Sequence, residues 1–216
     1  MNTVYVQQFA KELIIRYPVL IGIEESFLRS CVVLINAFQS GKKLLVCGNG
    51  GSAADADHIV GELMKSFFLE RPIDDDLKQK ITAIAPTEAE AINSSLQRAY
   101  PAIALSEHTA LSTAFSNDVN PNYIFAQQVL GYGKAGDVFL GISTSGNAKN
   151  VLAAAVVAKA KGLAVIGLTG KSGGKLKQYC DILLNANETE TYKVQELHLP
   201  IYHCLCLAIE RTIQSN

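Results

Sequence analysis

His58 and Glu62 stand four residues apart, a spacing that puts an imidazole and a carboxylate on one face of a helix. Such a pair can move a proton or hold a metal ion. Ahead of it lies Gly48-Asn-Gly-Gly-Ser52, a glycine turn after the apolar run Leu44–Cys47, which reads as a buried strand. Strand, glycine turn and helix start make an anion site, because unpartnered backbone N–H groups point outward there. Ser52 is expected as the N-cap, with Asp55 in the first helical turn. Alone, this would be an ordinary strand–helix connection with a His and a Glu on its surface.

The turn has a counterpart further on. Ser143-Thr-Ser-Gly-Asn147 sets three hydroxyls beside the start of a helix expected over 148–161. Hydroxyls and free N–H groups at a positive helix end suit a phosphate monoester. A third polar turn, Thr169–Gly174, lacks the spacing of a nucleotide-binding loop, so Lys171 reads as a surface loop residue. Gly48-x-Gly50-x-x-Ala53 fits the relaxed dinucleotide fingerprint, which needs an acidic residue ending the next strand about twenty residues on. Glu70 has that spacing, but it falls at the end of the helix expected over 52–69. A nicotinamide enzyme therefore ranks below a phosphate-ester enzyme, and no nucleotide cofactor is expected.

The C-terminal helix, expected from about Thr189 to Gln214, carries Gln195-Glu-Leu-His198-Leu-Pro200-Ile-Tyr-His203. Gln195 and His203 fall roughly 80° apart around a helix and about 12 Å apart along it. Both face one cleft, but the separation is long for two ligands of one metal. Either Pro200 bends the helix or the ligands come from two subunits.

The rest of the chain must position these groups. It has 216 residues, 49% of them hydrophobic and 18% charged, enough for one substantial core. A net charge of −1 gives no electrostatic reason to expect nucleic acid. No apolar run reaches membrane-spanning length, and the N-terminus shows no signal-peptide pattern. The five cysteines, Cys31, Cys47, Cys180, Cys204 and Cys206, read as packed thiols in a reducing cytoplasm.

Helices are expected over 4–17 and 23–38. The second is apolar on more than one stripe, which points to burial of two sides, one of them against another subunit. Strands are expected at 43–48, 102–105, 137–142, 164–168 and 181–184, with helices from Thr109 to about Ser116-Asn117-Asp118 and over 123–130 between them. The segment 70–100 holds an acidic run, Asp74–Asp76, read as solvated surface, and a short helix over 87–96. Apolar strands alternating with helices predict an α/β fold. It is a single-domain, doubly wound parallel sheet of about five strands in flavodoxin-like order, covered on both faces. The expected layout is one domain over 1–216, with oligomerisation helices in 1–41 and the α/β core in 42–216.

In order along the chain, Cys47-Gly-Asn-Gly-Gly-Ser52, His58 with Glu62, Asn117-Asp118, Gly141-Ile-Ser-Thr-Ser-Gly-Asn147, Leu168-Thr-Gly-Lys-x-Gly-Gly174 and Gln195-Glu-x-His198 with His203 resemble the sugar isomerase (SIS) domain family. Within it, the pattern is most similar to the phosphoheptose isomerases. The resemblance implies interconversion of sedoheptulose 7-phosphate and a heptose 7-phosphate through an enediol. It implies a cytoplasmic homotetramer with sites at subunit interfaces. It implies catalysis by Glu62 and His203, and zinc bound by His58, Glu62, Gln195 and His203. Substrate would be held by Asn49, Gly50, Gly51, Ser52, Glu62, Asn117, Asp118, Ser143, Thr144, Ser145 and Gln195.

The chain departs from the family pattern at Ala148, commonly serine, and at Tyr192, commonly acidic. It also has Pro200 and a longer 72–100 segment. A non-catalytic relative in the same superfamily binds a replication initiator protein, and its Cys-Leu-Cys resembles Cys204-Leu-Cys206. This chain keeps Glu62 and His203, which favours an enzyme.

Overall fold

The computed structural model describes residues 4–215. Five strands, β1 (Leu44–Cys47), β2 (Ala102–Ala104), β3 (Val138–Ser143), β4 (Ala164–Thr169) and β5 (Ile182–Asn185), form one parallel sheet in the order β2-β1-β3-β4-β5. That order reverses direction between β1 and β3, so a crevice opens there beyond the carboxyl ends of the strands. The registers Leu44↔Val138 and Ser143↔Thr169 bring the turns after β1, β3 and β4 to the same edge.

The strands lack alternation because both faces are covered. Leu44 and Val46 of β1 pack into one core, while Leu45 and Cys47 pack into another. The first core is closed by helices α1 (Val4–Arg16), α2 (Glu24–Gln39), α3 (Gly51–Met64) and α9 (Thr191–Gln214). The second is closed by α7 (Ile124–Tyr132) and α8 (Lys149–Ala160). Helix α6 (Thr109–Asp118) precedes α7. All five cysteines are free, and four of them are buried. No helix among the described residues is long and apolar enough to cross a membrane.

Two expectations need correction. Helix α3 ends at Met64, not near Leu69, so Glu70 lies in the loop beyond it. The N-cap of α3 is Gly50, at φ +56, and Ser52 lies buried within the first turn. The acidic run is exposed, as expected, but it also begins an element the sequence did not signal. Asp75 and Asp76 open a further helix, α4 (Asp75–Ile84), which pairs with α5 (Ala89–Ser95) as a hairpin. Carboxylates in a first turn face the positive end of the helix dipole, so an exposed acidic run is also a helix start. An isolated bridge between Pro72 and Gln97 and the Arg98–Asp74 ion pair at 2.7 Å close the hairpin's base.

The broad apolar surface of α2 also finds a use within the chain. Phe27, Cys31, Leu34 and Ile35 are buried, and the helix packs on α1, α9 and β5. Its width therefore does not by itself call for a second subunit. Pro200 lies inside α9 without ending it. The site's long lever is a continuous helix.

Candidate functional site

Chain termini of three helices converge at the switch-point crevice. A cavity of about 270 Å³ is lined by Asn49, Gly50, Gly51, Ser52, Ser143, Thr144, Ser145, Ala148, Thr191 and Gln195, with Ile142 at its floor. Residues 49–52 bring the start of α3, residues 143–148 the start of α8, and Thr191 the start of α9. Each start turns the positive end of a helix dipole toward the cavity, though Ser52 and Ala53 N–H at α3 are already bonded to Asn49 O and Gly50 O. Converging in one polar pocket, they fit a dianionic phosphate.

Local geometry explains why the turns hold still. Gly146 N–H donates to Ser143 O at 2.9 Å, Gly170 N–H to Thr144 O at 2.9 Å and Leu176 N–H to Gly146 O at 2.9 Å. The serine turn is thereby stitched to the Thr169–Gly174 loop. Gly146 has φ +66, a region that glycine enters without strain. Gly51 lets the Gln195 amide lie close against the turn. A Cβ there would sit 2.5 Å from Gln195 Nε2. Asn49 and Asn150 exchange side-chain amide bonds at 2.9 and 2.8 Å, tying the first turn to α8.

The acid–base groups form a second cluster, along α3 and α9. His58 Nε2 lies 3.1 Å from Glu62 Oε1. His203 Nε2 lies 3.4 Å from His58 Nε2. Lys65 Nζ lies 3.3 Å from Glu62 Oε2, and the Glu62 side chain is 12% exposed. Tyr202 OH meets His58 Nδ1 at 3.0 Å. Burial pushes the His203 imidazolium toward its neutral form, and His58 beside it acts in the same direction. Burial also raises the Asp55 carboxyl, partly offset by Tyr202 and His58. His198, one turn from Gln195, is fully buried, and desolvation pushes its pKa down to about 4. It is a neutral core residue.

Not every expected residue joins these clusters. Gln195 lines the cavity at the glycine and serine turns, whereas His58, Glu62 and His203 do not. Helix α9 runs unbroken between Gln195 and His203, so the two remain about 12 Å apart along its axis. Asn117 and Asp118 lie exposed at the end of α6, where Asn117 Nδ2 donates to Asp118 Oδ1 at 2.9 Å. They line neither the cavity at the glycine and serine turns nor the neighbouring hollow beside Asn49, which Ser112 and Ser116 of the same helix face instead. Among the described residues no three His, Cys, Asp or Glu side chains enclose a metal site. His58 instead contacts both Glu62 and His203 through its Nε2. Ala148 caps α8 without a side-chain bond, and Tyr192 is exposed. Sequence reasoning missed Thr191 and Tyr202. Thr191 carried only the signal of a helix start, and Tyr202 was masked by the apolar run around it.

A parallel sheet with a three-helix anion cradle at its switch point, and an acid–base cluster on the cradle's own helix, defines a sugar-phosphate domain of the SIS class. The SIS domain model matches residues 87–170. The chain is 37% identical over 182 residues to the phosphoheptose isomerase of Aneurinibacillus thermoaerophilus, covering 84% of this chain and 79% of that one. It superposes on the phosphoheptose isomerase structure from Neisseria gonorrhoeae with a TM-score of 0.70 at 30% identity, covering 97% and 94% of the two chains. On that from Francisella tularensis the TM-score is 0.74 at 29% identity, with 94% of each covered. The chain belongs to the phosphoheptose isomerase family, and it is an aldose–ketose isomerase rather than a regulator.

Proposed function

We propose that this site interconverts sedoheptulose 7-phosphate and D-glycero-D-manno-heptose 7-phosphate, with Glu62 and His203 moving the protons. The observation that carries the assignment is the contact chain Glu62–His58–His203, which sets a carboxylate and two imidazoles within 3.1 and 3.4 Å steps. Aldose–ketose isomerisation shifts a hydrogen between neighbouring carbons and the matching hydrogen between their oxygens. It needs a base at carbon and a proton carrier at oxygen. Glu62 takes the carbon-bound proton and returns it to the adjacent carbon. His203, whose imidazolium form is disfavoured by its partly buried setting and by His58 beside it, exchanges the hydroxyl proton. Ser143, Thr144 and Ser145, with the N–H groups of residues 49–51, hold the phosphate and so fix the sugar's reach.

The donor types also suit zinc. As placed, the three side chains enclose no metal site, so His58, Glu62 and His203 would have to exchange their present contacts for the ion. When bound, it supplies Lewis-acid stabilisation of the enediolate oxygens. Gln195 of the same chain is too far along α9 to join them, so a four-ligand set is completed across a subunit boundary. The same reasoning supports a homotetramer in which the phosphate cavity of one copy faces the acid–base cluster of another.

The test is turnover. Purified protein incubated with sedoheptulose 7-phosphate is expected to yield an aldose 7-phosphate, followed by proton and phosphorus NMR. Absence of product, with turnover of a shorter ketose phosphate instead, would overturn the assigned sugar. No turnover of any ketose phosphate would overturn the proposed chemistry.

A further inference from the structure

Arg71 and Glu210 are among the most deeply buried charged side chains of the described chain, at 1% and 2% exposure, and neither belongs to the acid–base cluster. Arg71 Nε pairs with Glu210 Oε1 at 3.2 Å. The guanidinium also donates to Leu63 O at 3.2 Å and to Glu62 O at 3.3 Å, and its flat face lies 4.3 Å from the centre of the Tyr100 ring. It therefore caps the open carbonyl end of α3 at the residue proposed as the base. Glu210 accepts the N–H groups of Phe67, Phe68 and Leu69 at 2.9, 2.8 and 3.0 Å. Those bonds shape the whole loop that leaves α3.

The brace reaches the other catalytic candidate as well. Glu210 stands seven residues beyond His203 on α9, two turns along and on the same face. Phe67, whose N–H the Glu210 carboxylate holds, lays its ring 5.7 Å from the His203 ring. One ion pair thus grips the backbone of Glu62, the loop that packs on His203, and the helix that carries His203. A buried pair of this kind is weak evidence for stability, because desolvation opposes its attraction. What it does supply is a fixed geometry, since Arg offers a rigid fork that lysine cannot reproduce.

We propose that Arg71 and Glu210 are positioning residues, which set the placement of Glu62 relative to His203 for proton transfer. The inference rests on the acid–base assignment above. It predicts a split between the kinetic constants. The phosphate cavity is lined by none of these residues, so loosening the brace should spare binding and slow the chemistry.

The experiment uses the full chain with Arg71→Lys and Glu210→Gln. Arg71→Lys keeps the charge and loses the fork. Glu210→Gln keeps the shape and one acceptor oxygen. The expected result is unchanged circular dichroism and assembly size, a kcat lowered at least about tenfold, and a KM within roughly threefold of the parent, as misplacement by ~1 Å costs up to ~10²-fold. In the same samples the ring proton signals of His203 should shift, because the Phe67 ring leaves its place. Folded variants with parental kcat and an unmoved His203 signal would overturn the proposal. Loss of fold in both variants would also overturn it, by showing that the pair holds the domain rather than the site. Should the parent itself fail to isomerise, the proposed function falls and takes the catalytic purpose of the brace with it, whereas an active parent with unaffected variants overturns the positioning role alone.

Discussion

Glu62→Gln separates binding from chemistry most cleanly. The swap changes a carboxylate oxygen to an amide nitrogen and keeps the side chain's volume. In the folded chain Glu62 touches His58 Nε2 at 3.1 Å and Lys65 Nζ at 3.3 Å. Lys65 is 62% exposed, so losing that ion pair costs at most about 1 kcal/mol. The glutamine oxygen can still face His58. Stability should therefore change little, and at roughly 2–4 °C per kcal/mol the melting temperature should fall by no more than about 4 °C. The base itself is lost. General-base catalysis contributes typically ~10²–10⁴-fold, about 2.7–5.4 kcal/mol of barrier, and kcat should fall by that factor. KM should hold within about threefold, because the phosphate cavity contains no Glu62 atom. The assay is product formation by NMR in deuterium oxide, which also reports exchange of the carbon-bound proton with solvent. The parent should incorporate deuterium at the reacting carbon, and the variant should not. Equal deuterium incorporation in both would refute the assignment of Glu62 as the base.

Ser143→Ala should raise KM by about 10–100-fold, the worth of one hydrogen bond to a charged group, and leave kcat nearly untouched, as steady-state kinetics would show. Mixing Glu62→Gln chains with Ser143→Ala/Ser145→Ala chains, after reversible dissociation, should restore part of the activity if cavity and acid–base cluster meet across copies; no recovery in verified mixed assemblies would place the whole site within one chain. Gly146→Ala should lower the melting temperature by at least about 4 °C, since an added Cβ at φ +66 collides with the Gly173 backbone and a left-handed alanine alone costs ~1–2 kcal/mol. Asp137→Asn should flatten the acid limb of stability against pH. Burial opposes ionisation there, but Lys43 Nζ at 2.6 Å and the Lys43 and Lys134 N–H groups outweigh it and hold the carboxyl below its ordinary range. A depressed folded pKa adds stability above the unfolded value near 3.9, and that stability drains away as pH falls through the folded value. The melting temperature of the parent should thus drop below about pH 4 more steeply than that of the variant.

Elements whose signal is local were legible in the sequence. The strands showed as apolar runs because both sheet faces are covered, and their alternate residues enter two separate cores. The glycine and serine turns showed because their chemistry is unusual in a strand–helix connection. The end of α3 was not legible, because what stops that helix is Arg71 folding back onto its last carbonyls and Glu210, from far along the chain, gathering the next three N–H groups. No window centred on Met64 contains that information. Helix α4 was hidden for a different reason. It buries nothing fully, so its apolar residues lack the partner surface that makes a helical pattern stand out. The spacing of Gln195 and His203 was readable as a conflict, and the unbroken α9 sharpens that conflict rather than removing it.

That conflict follows from how the helices are used. Helix α3 begins at the anion cradle and carries His58 and Glu62 toward its far end, while α9 begins at the same cradle and carries His203 equally far along. Glu62 lies eleven residues past Gly51, an axial distance of roughly 16 Å, and its side chain leans back toward the helix start by only a few ångströms. A phosphate seated at the cradle of one chain therefore holds its sugar well short of that chain's own base. The turns that bind phosphate must stay at the strand ends, where the free N–H groups are, and the proton-transfer groups must stay on helix faces that pack in register with each other. Both demands are met in one polypeptide only with the two clusters apart. In the assembly proposed above, the cradle of one copy set against the helices of a second would satisfy both without moving either, and α9 would then present Gln195 at one end and His203 two turns later.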